Sequence, residues 1–250
     1  MSPARRAAWA SMLRHKEEPN MASKRVKAFE GLVDKNKRYS LKEAIAILKK
    51  APKAKFDESV DLAIKLDIDP KQSDQMVRGT VVLPHGTGKT KRVAVFCKGE
   101  AQHKAKDAGA EHVGAEDLME KVAKGFFDFD VCVATPEMMR ELSKLGKVLG
   151  PKGLMPNPKA GTVTEDVSKA VKEVKAGKVE FKMDKISNIN ISVAKASFDD
   201  TKIYDNAYTL IEAVQHARPA TLKGNYIRSI AISTTMGPGI RLDLSNLARG

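Results

Sequence analysis

Apolar residues along this chain recur with two periods, one near 3.6 and one of two, and the stretches alternate. Ser40 opens SLKEAIAILKK with Glu43 three residues on, a capping box. Leu41, Ala44, Ile45 and Leu48 follow at helical spacing, and Pro52 marks the end of that helix. In FDESVDLAIKLDID, Val60, Leu62, Ile64, Leu66 and Ile68 alternate with Asp61, Ala63, Lys65 and Asp67. Period two with one wet face predicts a half-buried strand in an open sheet. Residues 77–83 (VRGTVVL) predict its partner strand, and Pro84-His85-Gly86 breaks the pattern.

Residues 87–177 behave differently. Apolar strands are predicted at 91–97, 111–113 and 130–134, with a fourth at 162–164. Helices fall between them at 100–109 and 115–125, and a last one at 165–176. Thr135 is placed to cap a further helix with Pro136 at its first position. Strands alternating with helices predict βαβ units on a mainly parallel sheet. From Lys178 the period of two returns. Val179, Phe181 and Met183 share one face, as do Ile189, Ile191 and Val193. A helix over 200–217 buries Ile203, Ala207, Leu210, Ile211 and Val214, and Pro219 ends it. A strand at 225–235 precedes a Met-Gly-Pro-Gly turn and IRLDL. Half-wet strands therefore stand on both sides of a βα block. The expected fold is a split α+β domain from 21–86 plus 178–250, with an α/β domain of 87–177 inserted through two close connections that form a double hinge.

Composition narrows the function. The 250 residues suffice for two domains, and 42% hydrophobic with 30% charged residues is a globular mix. No run of 18 apolar residues suggests a membrane span. Cys97 and Cys132 lack CxxC spacing and lie in apolar strands, so they read as packed core thiols. The net charge of +13 favours a polyanionic partner, and nucleic acid is the commonest. Aromatic residues are only 5%, too few for a surface that stacks single-stranded bases; a folded nucleic acid bound through backbone and shape fits better. Residues 21–86 hold 14 basic against 9 acidic side chains and 178–250 hold 10 against 7, compared with 16 against 13 in 87–177. The charge thus tilts binding towards the split domain. Residues 1–20 contain the only Trp, Trp9, and no strand pattern. They are expected to be a disordered extension, or a misassigned start with translation beginning at Met21.

Chemical motifs are few. Gly86-Thr87-Gly88-Lys89-Thr90 resembles the end of a nucleotide-binding phosphate loop, but Leu83 occupies the position of the first glycine and a strand follows. Residues 146–161 (GKVLGPKGLMPNPKAG) read as a basic surface loop with Lys147, Lys152 and Lys159. His15, His85, His103, His112 and His216 show no metal-binding spacing, and no nucleophile sits in a recognisable setting. No enzyme activity, metal or cofactor is expected. In Ser233-Thr234-Thr235-Met236-Gly237-Pro238-Gly239, hydroxyls and backbone N–H groups end a strand where Gly237 lets a partner approach. An ordinary hairpin turn with a buried Met fits the same residues.

That segment does not stand alone. MRELSKLGKVLGPKGLMPNPKAGTV (139–163), SLKEAIAILK, KFDESVDLAIKLDID, KVEFKMDK and ISTTMGPG together resemble the L-one family of large-subunit ribosomal proteins in its bacterial form. The likeness runs from about Met21 to Leu244. It implies a two-domain fold with a Rossmann-like insert and binding to large-subunit ribosomal RNA at the mobile stalk. It further implies help in releasing exit-site tRNA, repression of the chain's own operon mRNA, and a cytoplasmic monomer within the ribosome, with no membrane and no small-molecule substrate. The RNA-contact positions it implies are Lys55, Phe56, Lys182, Asp184, Lys223, Gly224, Ser229, Thr235, Met236 and Gly237. Phe56 is either an exposed ring or a core Phe. Asp184 either accepts from a ribose 2′-OH or orients Lys182.

Overall fold

Ser40 caps helix α1 (Leu41–Lys50) as its sequence predicts: its Oγ accepts from Glu43 N at 3.3 Å, and the Glu43 carboxylate accepts from Ser40 N at 3.1 Å. The computed structural model describes residues 28–29, 31–34, 37–52, 54–70, 75–219, 222 and 224–244. Lys223 and the segment 1–20 lie outside the described residues. After α1 come β1 (Ser59–Leu66), β2 (Arg78–Val82), β3 (Val93–Phe96), α2 (Ala101–Asp107), β4 (His112–Gly114), α3 (Glu116–Ala123) and β5 (Val131–Ala134). Then follow α4 (Met139–Leu142), α5 (Gly146–Leu149), α6 (Val167–Ala176), β6 (Lys178–Lys182), β7 (Asn188–Lys195), α7 (Asp200–His216), β8 (Ile227–Thr234) and β9 (Ile240–Arg241).

The strands form three sheets. The largest is antiparallel in the order β7-β1-β8-β9. Its inner face carries Val60, Leu62, Ile64, Leu66, Ile189, Ile191, Val193, Ile230 and Ile232, all buried. Helices α1 and α7 cover that face with Ile45, Leu48, Ile203, Ala207, Leu210 and Val214. Each large aliphatic side chain there contributes about 1.5–3 kcal/mol by leaving water. This core draws its members from 39–83 and from 181–242.

The second sheet is parallel, in the order β4-β3-β5. Alternate residues of β3 serve opposite faces. Val93 and Val95 meet Ala105 of α2 and Val167, Val171 and Val174 of α6, while Ala94 and Phe96 meet Leu118 and Val122 of α3, Leu142 and Leu149. A short parallel strand covered on both sides is apolar throughout, which explains the unbroken VAVF. Cys97 and Cys132 are buried free thiols in these two layers, and burial pushes both up in pKa, so they are inert at neutral pH.

Four expectations need correction. Residues 77–83 are not the partner of the 58–68 strand. β2 pairs antiparallel with β6, Gly79 opposite Phe181, because β7 and β8 already occupy both sides of β1. The predicted strand at 162–164 reduces to a single parallel bridge between Ala134 and Val163. Thr135 does not cap a helix. Its carbonyl accepts from Met138 N in a turn, helix α4 starts only at Met139, and the Thr135 Oγ1 is buried without a hydrogen-bond partner among the described residues. Residues 136–138 form the turn instead, which drives Met138 into the core beside Leu142. Finally, 146–161 is more ordered than a surface loop. It contains α5 and a 3-10 turn, Pro158–Ala160, capped by Asn157, with Leu149 and Ala160 buried and Lys147, Lys152 and Lys159 exposed. Residues 86–90 connect β2 to β3 and open no helix, unlike a phosphate loop.

The β2–β6 register has a direct test. A Cβ on Gly79 would sit 2.6 Å from the Phe181 ring, which is buried and cannot move aside. Gly79→Ala is expected to destabilise the protein by about 1–3 kcal/mol. An unchanged urea midpoint would contradict this pairing.

Candidate nucleic-acid interface

Because β1 and β8 run antiparallel with Val60 opposite Thr234, the segment before β1 lies against the segment after β8. Ser59 and Thr235 lock the two together. Ser59 N donates to Thr235 Oγ1 at 3.0 Å, and Thr235 N donates to Ser59 O at 3.0 Å. The Thr235 hydroxyl donates in turn to Ser59 O at 3.3 Å. A hydroxyl has one proton and two lone pairs, so one lone pair of Thr235 stays open to an outside donor. A Cβ on Gly237 would fall 2.2 Å from Thr234 Oγ1, so the turn admits no side chain there.

Two apolar side chains stand out of this end of the sheet. Phe56 is 56% exposed and Met236 is 54% exposed. The Phe56 alternative is thereby decided for the exposed ring, and Met236 is not the buried Met of an ordinary hairpin. Lys55 is exposed beside Phe56 and makes no ion pair among the described residues. Exposed apolar rings and thioethers flanked by a free cation suit a ribose or base face next to a phosphate.

A second group gathers where β1 ends. Ser229 is exposed on β8 opposite Lys65. Lys65 Nζ donates to the Ile186 carbonyl in the β6–β7 turn. Asp184 Oδ1 caps that turn, accepting from Ile186 N at 2.9 Å and Asn188 N at 2.8 Å. Asp184 therefore shapes the turn and makes no ion pair with Lys182, which corrects the expectation that it orients that lysine; its Oδ2 faces outwards free of hydrogen bonds among the described residues. Lys182 ends β6 opposite Arg78, exposed, while Arg78 itself pairs with Glu180 at 2.5 Å. Gly224 is exposed, and its carbonyl accepts from Arg218 Nη2 at 3.0 Å. The adjoining Tyr226 carbonyl accepts from Asp67 N at 3.0 Å, which ties this loop to the end of β1. Burial pushes the Tyr226 phenol up to about 12, so it stays neutral.

The described predicted positions thus fall into two groups at opposite ends of β1. An eight-residue strand spans roughly 25 Å at about 3.4 Å per residue. Between the groups runs the solvent face of the sheet, which sequence reasoning did not single out: Ala63 of β1, Asn188 and Asn190 of β7, and Ala231 and Ser233 of β8. The signal was present, since the middle wet positions of β7 and β8 are amides, hydroxyls and methyls, with the long chains of Lys195 and Arg228 near the strand ends. The middle of that face is low and rich in hydrogen-bonding groups. Among the described residues no cluster of His, Cys, Asp or Glu is placed to hold a metal, and no helix is long and apolar enough to cross a membrane.

Comparison with known proteins decides the lineage. Residues 48–238 match the model of the ribosomal protein L1p/L10e family. A curated relative, the large ribosomal subunit protein uL1 of Protochlamydia amoebophila strain UWE25, is 54% identical over 222 residues, covering 89% of this chain and 94% of the relative. The chain belongs to the ribosomal protein L1p/L10e family. The family match contains both groups of candidate residues, from Lys55 to Gly237.

The Ser59–Thr235 lock is measurable apart from any ligand. Thr235→Val keeps the shape but removes the acceptor of the Ser59 amide, a loss of about 1–2 kcal/mol. Hydrogen exchange at Ser59 is expected to quicken by about tenfold or more; unaltered protection would show that the lock is absent in solution.

Proposed function

We propose that this chain is a cytoplasmic protein of the large ribosomal subunit that grips folded ribosomal RNA at the mobile stalk. The observation that carries the reading is the joined pair of segments at the Ser59–Thr235 lock in a member of a ribosomal protein family. They present Phe56 and Met236 to solvent beside Lys55, which is unpaired among the described residues. Thr235, Met236, Gly237, Lys55 and Phe56 form one contact, and Lys182, Asp184, Gly224 and Ser229 the other, with Lys223 added on the resemblance alone. Phosphate contacts by the lysines position the RNA, and hydroxyls and backbone groups read ribose and shape.

In this reading residues 21–86 and 178–250 are the RNA-binding domain, and 87–177 are a Rossmann-like insert that swings on a double hinge. The core drawn from 39–83 and 181–242, apart from the two layers of 93–174, supports the division. The two connections run side by side, with Leu83 N donating to Gly177 O at 3.3 Å. The first is pinned up to Gly86 by the buried Asn206, whose side chain accepts from His85 N at 3.1 Å and donates to Gly86 O at 2.8 Å. Movement of the insert begins beyond that pin. Such movement assists release of exit-site tRNA, and a messenger segment of similar shape lets the same surface repress the chain's own operon.

Thr235→Ala or Met236→Ala is expected to weaken binding to a stalk fragment of large-subunit ribosomal RNA by ~1–3 kcal/mol with the fold intact. Electrophoretic mobility or filter binding at fixed salt reads the effect, and unchanged affinity in both variants would remove the assignment. A chain joining 21–86 to 178–250 through a short linker is expected to bind the same RNA unaided, with affinity falling steeply as salt rises. Binding by 87–177 alone, and not by the joined ends, would reverse the roles of the two parts.

A further inference from the structure

Glu58 is the one acidic or basic side chain buried among the described residues, at 4% exposure. A buried carboxylate is costly unless its oxygens are hydrogen-bonded. Those of Glu58 are: Oε1 accepts from Ala54 N at 2.9 Å, and Oε2 accepts from Met236 N at 3.1 Å. Its own carbonyl accepts from Ala196 N at 2.7 Å, which holds it against the segment after β7. One carboxylate thus joins the chain two residues before Phe56 to the amide of Met236 itself.

The chemistry demands this residue type. Two converging N–H donors need two acceptors, and an ionised carboxylate offers acceptors only. A glutamine would meet one of the amides with its own NH2 group. Beneath the tether lies a cavity of ≈ 420 Å³ lined by Ile45, Leu48, Phe56, Glu58, Val60 and Ile203. Most of its lining is apolar, and Lys49, Asp57, Ser197 and Thr234 also border it. Phe56 stands at the wall of this cavity and is exposed to solvent, and the Ala54–Glu58 bond holds the segment that carries it.

We propose that Glu58 is a positioning residue that sets the Ala54–Phe56 and Thr235–Gly237 segments in one binding geometry without touching RNA itself. The inference rests on the RNA-binding reading above. Its test uses the full chain and the stalk fragment of large-subunit ribosomal RNA. Glu58→Gln is expected to lower RNA affinity by about tenfold, to leave the salt dependence of binding unchanged because no phosphate contact is lost, and to speed amide exchange at Ala54 and Met236. In a chain already carrying Thr235→Ala and Met236→Ala, the same substitution is expected to cost little more, since the geometry it protects is gone. A loss that adds in full to that background would mark plain destabilisation and overturn the proposal. So would wild-type affinity in Glu58→Gln while Thr235→Ala weakens binding, a result that leaves the RNA-binding reading standing. No effect of Thr235→Ala or Met236→Ala would fell that reading instead. Should Glu58→Gln fail to fold, Glu58→Asp keeps the charge but reaches only one of the two amides, and carries the same expectations.

Discussion

The pairing of β1 with strands far along the chain is the constraint on which everything else depends. Its nearest partner residue, Asn188 opposite Lys65, lies more than 120 positions away, and Thr234 opposite Val60 lies further still. Neither pairing is local, so the loop-closure entropy must be offset by burial. The inner-face aliphatics of β1, β7 and β8 with α1 and α7 supply that burial. Everything between β2 and β6 can then form its own parallel sheet and its own cores without disturbing the platform.

The candidate interface follows from that pairing. Antiparallel alignment places the start of β1 beside the end of β8, and the polar groups at this junction cannot be left unsatisfied. Ser59, Thr235, Glu58 and Met236 satisfy one another. The exposed side chains there include Phe56, Met236 and Lys55, next to the Thr235 hydroxyl and to Asp57, whose carboxylate accepts from Ser197. At the other end of β1, Asp184 and Lys65 are both engaged in the β6–β7 turn, while Ser229 and Lys182 are exposed with no side-chain partner among the described residues. A site of this kind is rigid because its inner hydrogen bonds hold it, and rigidity favours recognition of a pre-shaped partner over a pliant one.

Local reasoning succeeded where a single element decides the outcome. The capping box at Ser40, the alternation of Val60 to Ile68 and the helical stripe of Ile203 to Val214 need only their own neighbours, and each is found as expected. It failed where a choice between partners arises. Residues 77–83 have the right pattern for any antiparallel edge, and nothing in VRGTVVL says that Phe181 rather than Leu62 lies alongside. Thr135-Pro136 has the composition of a helix start, yet the turn that precedes α4 is dictated by the burial of Met138 beneath the sheet. Of the candidate contact residues, Phe56 and Met236 could be named from the resemblance, but their exposure could not be read from sequence.

Glu58 marks the boundary most clearly. In the string FDESVDLA it is one more acidic residue near a strand, with the same local signal as Asp57 or Asp61. The order of apolar positions determined most strands and helices and which faces are buried, because these depend on spacing along the chain, and the net charge of +13 pointed to a polyanion without any structure. Only the tertiary structure decided which strands meet, which carboxylate is buried, and which apolar side chains are left outside. Those outcomes depend on groups brought together from positions more than a hundred residues apart, and a one-dimensional period contains no information about that distance.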